Sequence, residues 1–278
     1  MARSESDTPL SRTNDLAGPA LGEFQTLERI VARLRAPDGC PWDKAQTHSS
    51  IKRYLLEEAY EAIQALDDGD PAKLREELGD LLLQIMLHTQ IATETGEFQR
   101  KDLVAGLAAK LIRRHPHVFG GQPAADAEEV AHNWEEIKKQ ERADGASLLS
   151  SVPEQLPALA RSQVIQRRVA SAGFDWRDFT GILDKLSEEV AELKKADSKA
   201  QRLDEFGDLL FALVNAARWL DLDAEESLRQ ANRKFSSRFM HMEELCRKRG
   251  INFASLSFDQ QNALWDEAKA ALSGRESA

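Results

Sequence analysis

Five acids are gathered where two helices should pack, in the stretch LLEEAYEAIQALDDGDPAKLREELGDLL (55 to 82). Glu57, Glu58 and Glu61 fall at helical spacing on one segment, and Glu77 and Asp80 on the next. Residues three or four apart share a helix face, so a hairpin about DDGDP (67 to 71) brings these carboxylates together. Like charges at such steps cost a helix roughly 0.2–0.5 kcal/mol per pair, and crowding them in a partly dry cleft costs several times more. A divalent cation removes that repulsion. Carboxylates without His or Cys select hard ions, Mg²⁺ first and Mn²⁺ second.

The pattern returns about 130 residues later. KLSEEVAEL (185 to 193) repeats the EExxE core, and LDEFGDLLFAL (203 to 213) repeats ExGD-LL, which sets Glu188, Glu189, Glu192, Glu205 and Asp208 together in the same way. Neither core, EEAYE or EEVAE, contains the Lys or Arg that a merely solvated acidic face would interleave. Gly79 and Gly207 stand inside the second helix of each pair, where glycine costs about 1 kcal/mol against alanine, and so predict a close approach by another helix or a ligand. Other landmarks recur in order. Lys110 and Arg114 share the step of Lys234 and Arg238, Trp134 with Lys138 that of Trp265 with Lys269, and GCPW (39 to 42) faces GFDW (173 to 176). A recurrence of this kind signals a duplicated unit of normal domain size.

The elements that must carry these residues read as all-α. Apolar periodicity begins near 21 and predicts helices over about 48–67, 71–95, 101–114, 126–142, 158–171, 179–196, 200–220, 224–249 and 258–272, with no strand-like alternation. PDGCPWD (37 to 43) and SSVPEQLPAL (150 to 159) read as breaks, and HPHVF as a Pro-interrupted loop. The expected layout is a polar tail at 1–20, a domain at 21–146, a linker at 147–158, a second domain at 159–272 and a short tail at 273–278. Leu55, Leu56, Ala59, Ile63, Leu78, Leu81 and Leu82 flank the first acids and predict that the acidic face borders a packed one.

Composition narrows the function classes. A formal charge of -10 over 278 residues argues against general affinity for nucleic acid or an anionic membrane. Cys40 and Cys246 stand alone, without disulfide or zinc spacing, which points to a reducing cytoplasm. The N-terminal MARSESDTPLSRTNDLAGP has no apolar core for a signal peptide, and no run approaches the ~18 apolar residues of a membrane span. DDGD (67 to 70) lacks the alternating ligands of a calcium loop, His115 and His117 flank a proline without partner ligands, and no glycine-rich phosphate loop is present.

EExxE followed by ExxD, twice in one helical chain, resembles the MazG family, nucleoside triphosphate pyrophosphohydrolases of the all-α NTP pyrophosphatase superfamily. CPWDKAQTH, RRHPHVF, NWEEIK, SVPEQLPAL and GFDW are similar to its long, two-domain members, over about residues 22 to 272. The resemblance implies tandem MazG-like helical domains of four-helix-bundle type, completed by homodimerisation, since two helices do not enclose a nucleotide alone. It also implies hydrolysis of NTP or dNTP to a nucleoside monophosphate and pyrophosphate, in nucleotide-pool cleaning with broad specificity. Carried over by position, Glu58, Glu61, Glu77 and Asp80 would be metal ligands in the first copy, and Glu189, Glu192, Glu205 and Asp208 in the second. Glu57 and Glu188 would orient or deprotonate water. Lys110, Arg114, Lys138, Lys234, Arg238 and Lys269 would meet the polyphosphate, and Trp134 and Trp265 would stack on a base or pack. A narrower dUTP-type pyrophosphatase and a non-catalytic helical partner with a structural metal remain open. The second copy is the expected principal site.

Overall fold

The computed structural model describes residues 19–273, apart from 122, 128, 131, 132, 135, 136, 138–140 and 142–146. All regular structure among the described residues is helical. The chain divides into two compact units, Met1–Glu141 and Arg142–Ala278.

In the first unit, α1 (Phe24–Arg35) and a one-turn α2 (Pro41–Ala45) lead into the hairpin α3 (His48–Asp68) and α4 (Pro71–Thr95), followed by α5 (Arg100–Arg114) and α6 (Pro116–Phe119). The hairpin is written into its caps. Thr47 and Ser50 cap each other's backbone N–H at the start of α3. Gly69, at φ 65°, ends that helix in the left-handed conformation that glycine adopts without penalty. Asp70 then caps α4 through the N–H groups of Ala72 and Lys73, with Pro71 at the first helical position. The core of the unit is Val31, Ile51, Met86, Leu87 and Ile91, where α1, α3 and α4 meet. Arg35 fastens α1 to the end of α4 by paired bonds to Glu94, and its Nη1 holds the Asp43 and Gln46 carbonyls of the α2 turn.

The second unit runs α7 (Ala158–Ala170), α8 (Phe179–Lys195), α9 (Lys199–Trp219), α10 (Ala224–Arg249) and α11 (Phe258–Ser273). Its acid-bearing hairpin, α8–α9, turns through Ala196–Ser198 without a glycine. Ser198 and Gln201 form the cap, and Arg202 Nε donates to the Ala196 carbonyl. The earlier end of α8, three residues past Glu192 where α3 runs seven past Glu61, accounts for the 12 residues between Glu192 and Glu205, against 15 between Glu61 and Glu77. Helix α7 crosses α9, and Gln163 ties it to the α9–α10 turn through the Leu222 carbonyl and the Ala224 N–H. Met242, Cys246, Leu264 and Ala268 close the α10–α11 hairpin.

Several expectations need correction. PDGCPWD does end α1, at Arg35, but its second proline starts a new turn: Pro41, like Pro116 of RRHPHVF, occupies a first helical position, where a missing N–H costs nothing. A side-chain carbon at Gly79 or Gly207 would meet nothing within 4 Å, so among the described residues no other helix makes the expected close approach to either glycine. Leu55, Leu56 and Leu78 are exposed, because a hairpin covers only one flank of each of its helices. Residues 1–18, the 274–278 end and most of the expected 126–142 helix, with Lys138, lie outside the described residues.

Candidate active site

In both units the hairpins bring the predicted acids together. In the first, Glu58, Glu77 and Asp80 offer carboxylate oxygens within 4.8 Å of one another. Burial, then the charges of Asp80, Glu61, Glu77 and Glu57, raise the Glu58 carboxyl above its ordinary range. Burial and Glu61 do the same to Glu77. Glu57 and Glu61 are exposed beside this group.

The second unit assembles more. Glu188, Glu189 and Glu192 form one set within 4.8 Å, and Glu189, Glu205 and Asp208 another, so Glu189 is common to both. Burial, then Glu192 and Glu189, raise the Glu205 carboxyl. Glu189 is only 2% exposed, and its Oε2 is buried without a hydrogen-bond partner. A buried carboxylate oxygen with no donor is the state that a cation relieves, so the acid set suits a metal ion. The two clusters agree on carboxylate-only chemistry, which is that of hard divalent ions.

One side chain that sequence reasoning passed over stands in the middle of the second set. Lys185 Nζ lies 2.8 Å from Glu188 Oε1 and 2.7 Å from Glu189 Oε1. The hydrogen bonds to Glu188 and Glu189 raise its ammonium further above the ordinary lysine range. The cores EEAYE and EEVAE indeed contain no base, but Lys185 sits one turn upstream, four residues before Glu189. The corresponding position in the first copy is Tyr54, which packs with Trp42 and carries Arg53 on its ring. The direct ion pair with the acids is therefore seen at Lys185 of the second unit, while in the first Lys73 works against the rise of the Glu77 carboxyl through its charge alone.

A cavity of about 680 Å³ opens beside these acids. Gln166 of α7, Trp176 of the GFDW turn, Lys185 and Glu189 of α8, and Asp208 and Asn215 of α9 are among its lining residues. The GFDW turn is held in place through Asp175, which accepts from Arg218 Nη1 at 3.0 Å and from the Trp219 indole at 3.3 Å. Burial alone would push the Asp175 carboxyl up. The Arg218 bonds, the Trp176 N–H and the Trp219 indole together outweigh it and hold the group below its ordinary range. Trp176 and Asn215 also escaped sequence reasoning. GFDW was visible as a landmark, but nothing local indicated that it would wall a cavity shared with helix α9.

The basic and aromatic residues pair in both units. Arg114 lies over the Trp134 ring at 5.3 Å, and Arg238 over Trp265 at 5.6 Å. Trp265 packs on Phe235 and the α10–α11 core, and Trp134 stands edge-on to His115. Lys110, Lys234 and Lys269 are exposed. None of these residues lines the cavity, and no hydrogen bond or ion pair among the described residues joins them to the acids. The arginines differ between the units. Arg113 and Arg114 both bind Glu141, at 2.6 and 2.5 Å, and their hydrogen bonds hold its carboxyl at about 2. A depressed carboxyl contributes its full stabilisation above the ordinary value of 4.5, and the contribution is lost progressively as pH falls from there through about 2. A carboxyl NMR titration is expected to give Glu141 a midpoint near 2; a midpoint near 4.5 would show the pair to be open in solution. For Arg238, no carboxylate partner occurs among the described residues.

Comparison with known proteins places the chain. The family model for the MazG nucleotide pyrophosphohydrolase domain matches residues 46–119, across α3 to α6. The chain is 44% identical over 247 residues to the nucleoside triphosphate pyrophosphohydrolase/pyrophosphatase MazG of Thermotoga maritima, covering 88% of this chain and 95% of that protein. It is 42% identical over 257 residues to the nucleoside triphosphate pyrophosphohydrolase of Escherichia coli, covering 90% and 98%. The uncharacterized protein YabN of Bacillus subtilis is 45% identical over 252 residues, and the match spans 52% of its length. At this identity over almost the whole of two relatives, and with carboxylate clusters at the recurring motifs, the chain belongs to the MazG family.

Proposed function

We propose that the chain is a Mg²⁺-dependent nucleoside triphosphate pyrophosphohydrolase that converts NTP or dNTP and water to the monophosphate and pyrophosphate, with broad base acceptance. Mn²⁺ is the expected substitute ion. The observation that carries this reading is Glu189, a buried carboxylate with one oxygen unpartnered, set in an acid cluster that opens on a cavity of nucleotide size. The names of the Thermotoga maritima and Escherichia coli relatives support the same reaction.

In this reading Glu189, Glu192, Glu205 and Asp208 hold the metal, with Glu58, Glu61, Glu77 and Asp80 as their counterparts in the first unit. A bound Mg²⁺ neutralises phosphate oxygens and orients the reacting groups. Glu188, whose carboxylate is positioned by Lys185, orients or deprotonates the water that opens the α–β phosphoanhydride; the leaving group is pyrophosphate. Glu57 would take that part in the first unit. Lys234, Arg238 and Lys269, with Lys110, Arg114 and Lys138, are assigned to the polyphosphate, and Trp265 and Trp134 steady the arginines beside them. We assign the principal site to the second unit, because there the acids border a cavity and Arg238 is not engaged by a carboxylate as Arg114 is.

A homodimer belongs to the same proposal. Leu56 and Leu78 on the first hairpin, and Leu203 and Phe206 on the second, are at least half exposed, so each hairpin by itself offers apolar surface that a second copy would cover to complete a four-helix bundle. No helix among the described residues is long and apolar enough to cross a membrane, and the proposed setting is the cytoplasmic nucleotide pool. The test is direct. Incubated with Mg²⁺ and a panel of NTPs and dNTPs, the protein is expected to release pyrophosphate and little orthophosphate, and to stop when a chelator is added. Orthophosphate as the main product, or no turnover with Mg²⁺ or Mn²⁺, would overturn the reading.

A further inference from the structure

The cavity of the second unit contains an unanswered hydrogen-bond acceptor contributed by α7, outside the acid hairpin itself. Gln166 is 3% exposed and lines the cavity from α7. Its Nε2 donates to the Phe211 carbonyl at 2.8 Å, and that carbonyl can only accept, so the amide orientation is fixed. The remaining oxygen, Oε1, is buried with no partner. Gln163, one turn earlier on the same helix, shows what a purely structural glutamine looks like here. Its Nε2 reaches the Leu222 carbonyl at 2.7 Å and its Oε1 receives the Ala224 N–H at 2.9 Å. Gln84 Oε1, in the first unit, is also buried and unpaired, but Gln166 shares a cavity wall with Glu189 and Asp208.

Across the same cavity lies a complementary group. Asn215 Oδ1 accepts from Arg218 at 2.9 and 2.8 Å, which fixes that amide as well. Its Nδ2 makes no hydrogen bond among the described residues. The cavity thus has one fixed acceptor and one fixed donor, between the rings of Trp176, Phe174 and Phe211. An aromatic slot with a donor and an acceptor suits a flat heterocycle that carries an N–H next to an acceptor atom, the pattern on the pairing edge of a nucleobase. A ligand N–H on Gln166 Oε1 would satisfy a group that the fold leaves unpaired.

We propose that this cavity receives the base of the nucleotide, and that Gln166 and Asn215 are its base-reading residues. The inference rests on the nucleotide chemistry proposed above and adds the side chains that would tell one base from another. With one fixed amide acceptor and one fixed amide donor to meet the base, the slot ranks bases by fit, which agrees with broad acceptance.

The test separates base from phosphate and needs no turnover. The full chain, with chelator present, is titrated with AMP, GMP, CMP and UMP, and separately with inorganic tripolyphosphate, while the side-chain amide signals of Gln166 and Asn215 are followed by NMR. Both signals are expected to move with at least one monophosphate and to stay in place with tripolyphosphate. Failure of every monophosphate to move them, or equal movement with tripolyphosphate, would overturn the assignment. Gln166→Met keeps the side-chain volume. It is expected to weaken the best monophosphate about tenfold or more and leave tripolyphosphate binding unchanged, whereas a structural role would weaken both together or neither. If that variant does not fold, the wild-type amide shifts still decide the matter. A protein that binds monophosphates in this way but releases no pyrophosphate would remove the proposed reaction and leave the base site standing.

Discussion

Glu189→Gln is expected to lower the rate of pyrophosphate release by roughly 10²–10³-fold, the scale on which enzymes lose rate when one preorganised electrostatic group is removed. The substitution keeps shape and volume, so the packing of α8 on α9 is preserved. What changes is charge at the one carboxylate that belongs to both acid sets of the second unit. Lys185 retains Glu188 as a partner and loses Glu189, so part of its ammonium charge is left uncompensated in the place assigned to a cation. The melting temperature should move little, since Glu189 is held by one ion pair and has an oxygen that nothing satisfies. The matched control is Glu58→Gln, the counterpart in the first unit. With the principal site in the second unit, that change should alter the rate by less than about threefold, because a surface or partly buried charge that takes no part in the working site has effects within roughly 0.5 kcal/mol. Equal losses from the two variants would move the activity to both units, and a loss from Glu58→Gln alone would move it to the first.

The largest expected effect on stability is that of Ile51→Ala, about 2–5 kcal/mol, the range for buried aliphatic side chains cut back to alanine. Ile51 is fully buried, on the first turn of α3, against Val31 of α1 and Met86, Leu87 and Ile91 of α4. Truncation leaves a void at the point where all three helices meet. Closing it would require α3 to shift against caps that Thr47 and Ser50 hold at one end and Gly69 and Asp70 at the other. Denaturant titration monitored by circular dichroism checks this. A loss below about 1 kcal/mol would mean that the site collapses around the smaller side chain and that the three helices are less firmly fixed than their packing indicates.

Apart from 126–142, which lies mostly outside the described residues, the expected helices were legible in the sequence to within a residue or two. The predicted 71–95 and 224–249 coincide with α4 and α10, because Asp70–Pro71 and Gly96 bound the first, and Asp223 and Gly250 the second. The convergence of the acids was legible too, since steps of three and four on two capped helices leave little choice of face. Proline misled where it begins a turn of helix, at Pro41 and Pro116. Lys185 was within reach of the same four-residue rule but falls outside the motif that drew attention to its neighbours. Gln166 and Asn215 were not legible at all. Their roles depend on α7 crossing α9 about 45 positions later in the chain, and on which end of each amide the fold consumes. Arg114 and Arg238 matched as a repeated step, yet only the structure shows Glu141 engaged on one of them.

The ion pair of Lys185 with Glu188 and Glu189 bears on the life of the protein before it meets its ion. A cluster made of carboxylates alone resists being folded shut until a metal arrives, so its supply would govern how much protein matures. Here the chain contributes one positive charge of its own to the cluster as soon as α8 forms, since Lys185 lies within a turn of both partners. Lys185 thus offsets part of the repulsion at Glu188 and Glu189 before any ion binds, while Glu205 still feels its acidic neighbours. The first unit has Tyr54 at that position, and there the charge of Lys73 bears on Glu77 instead.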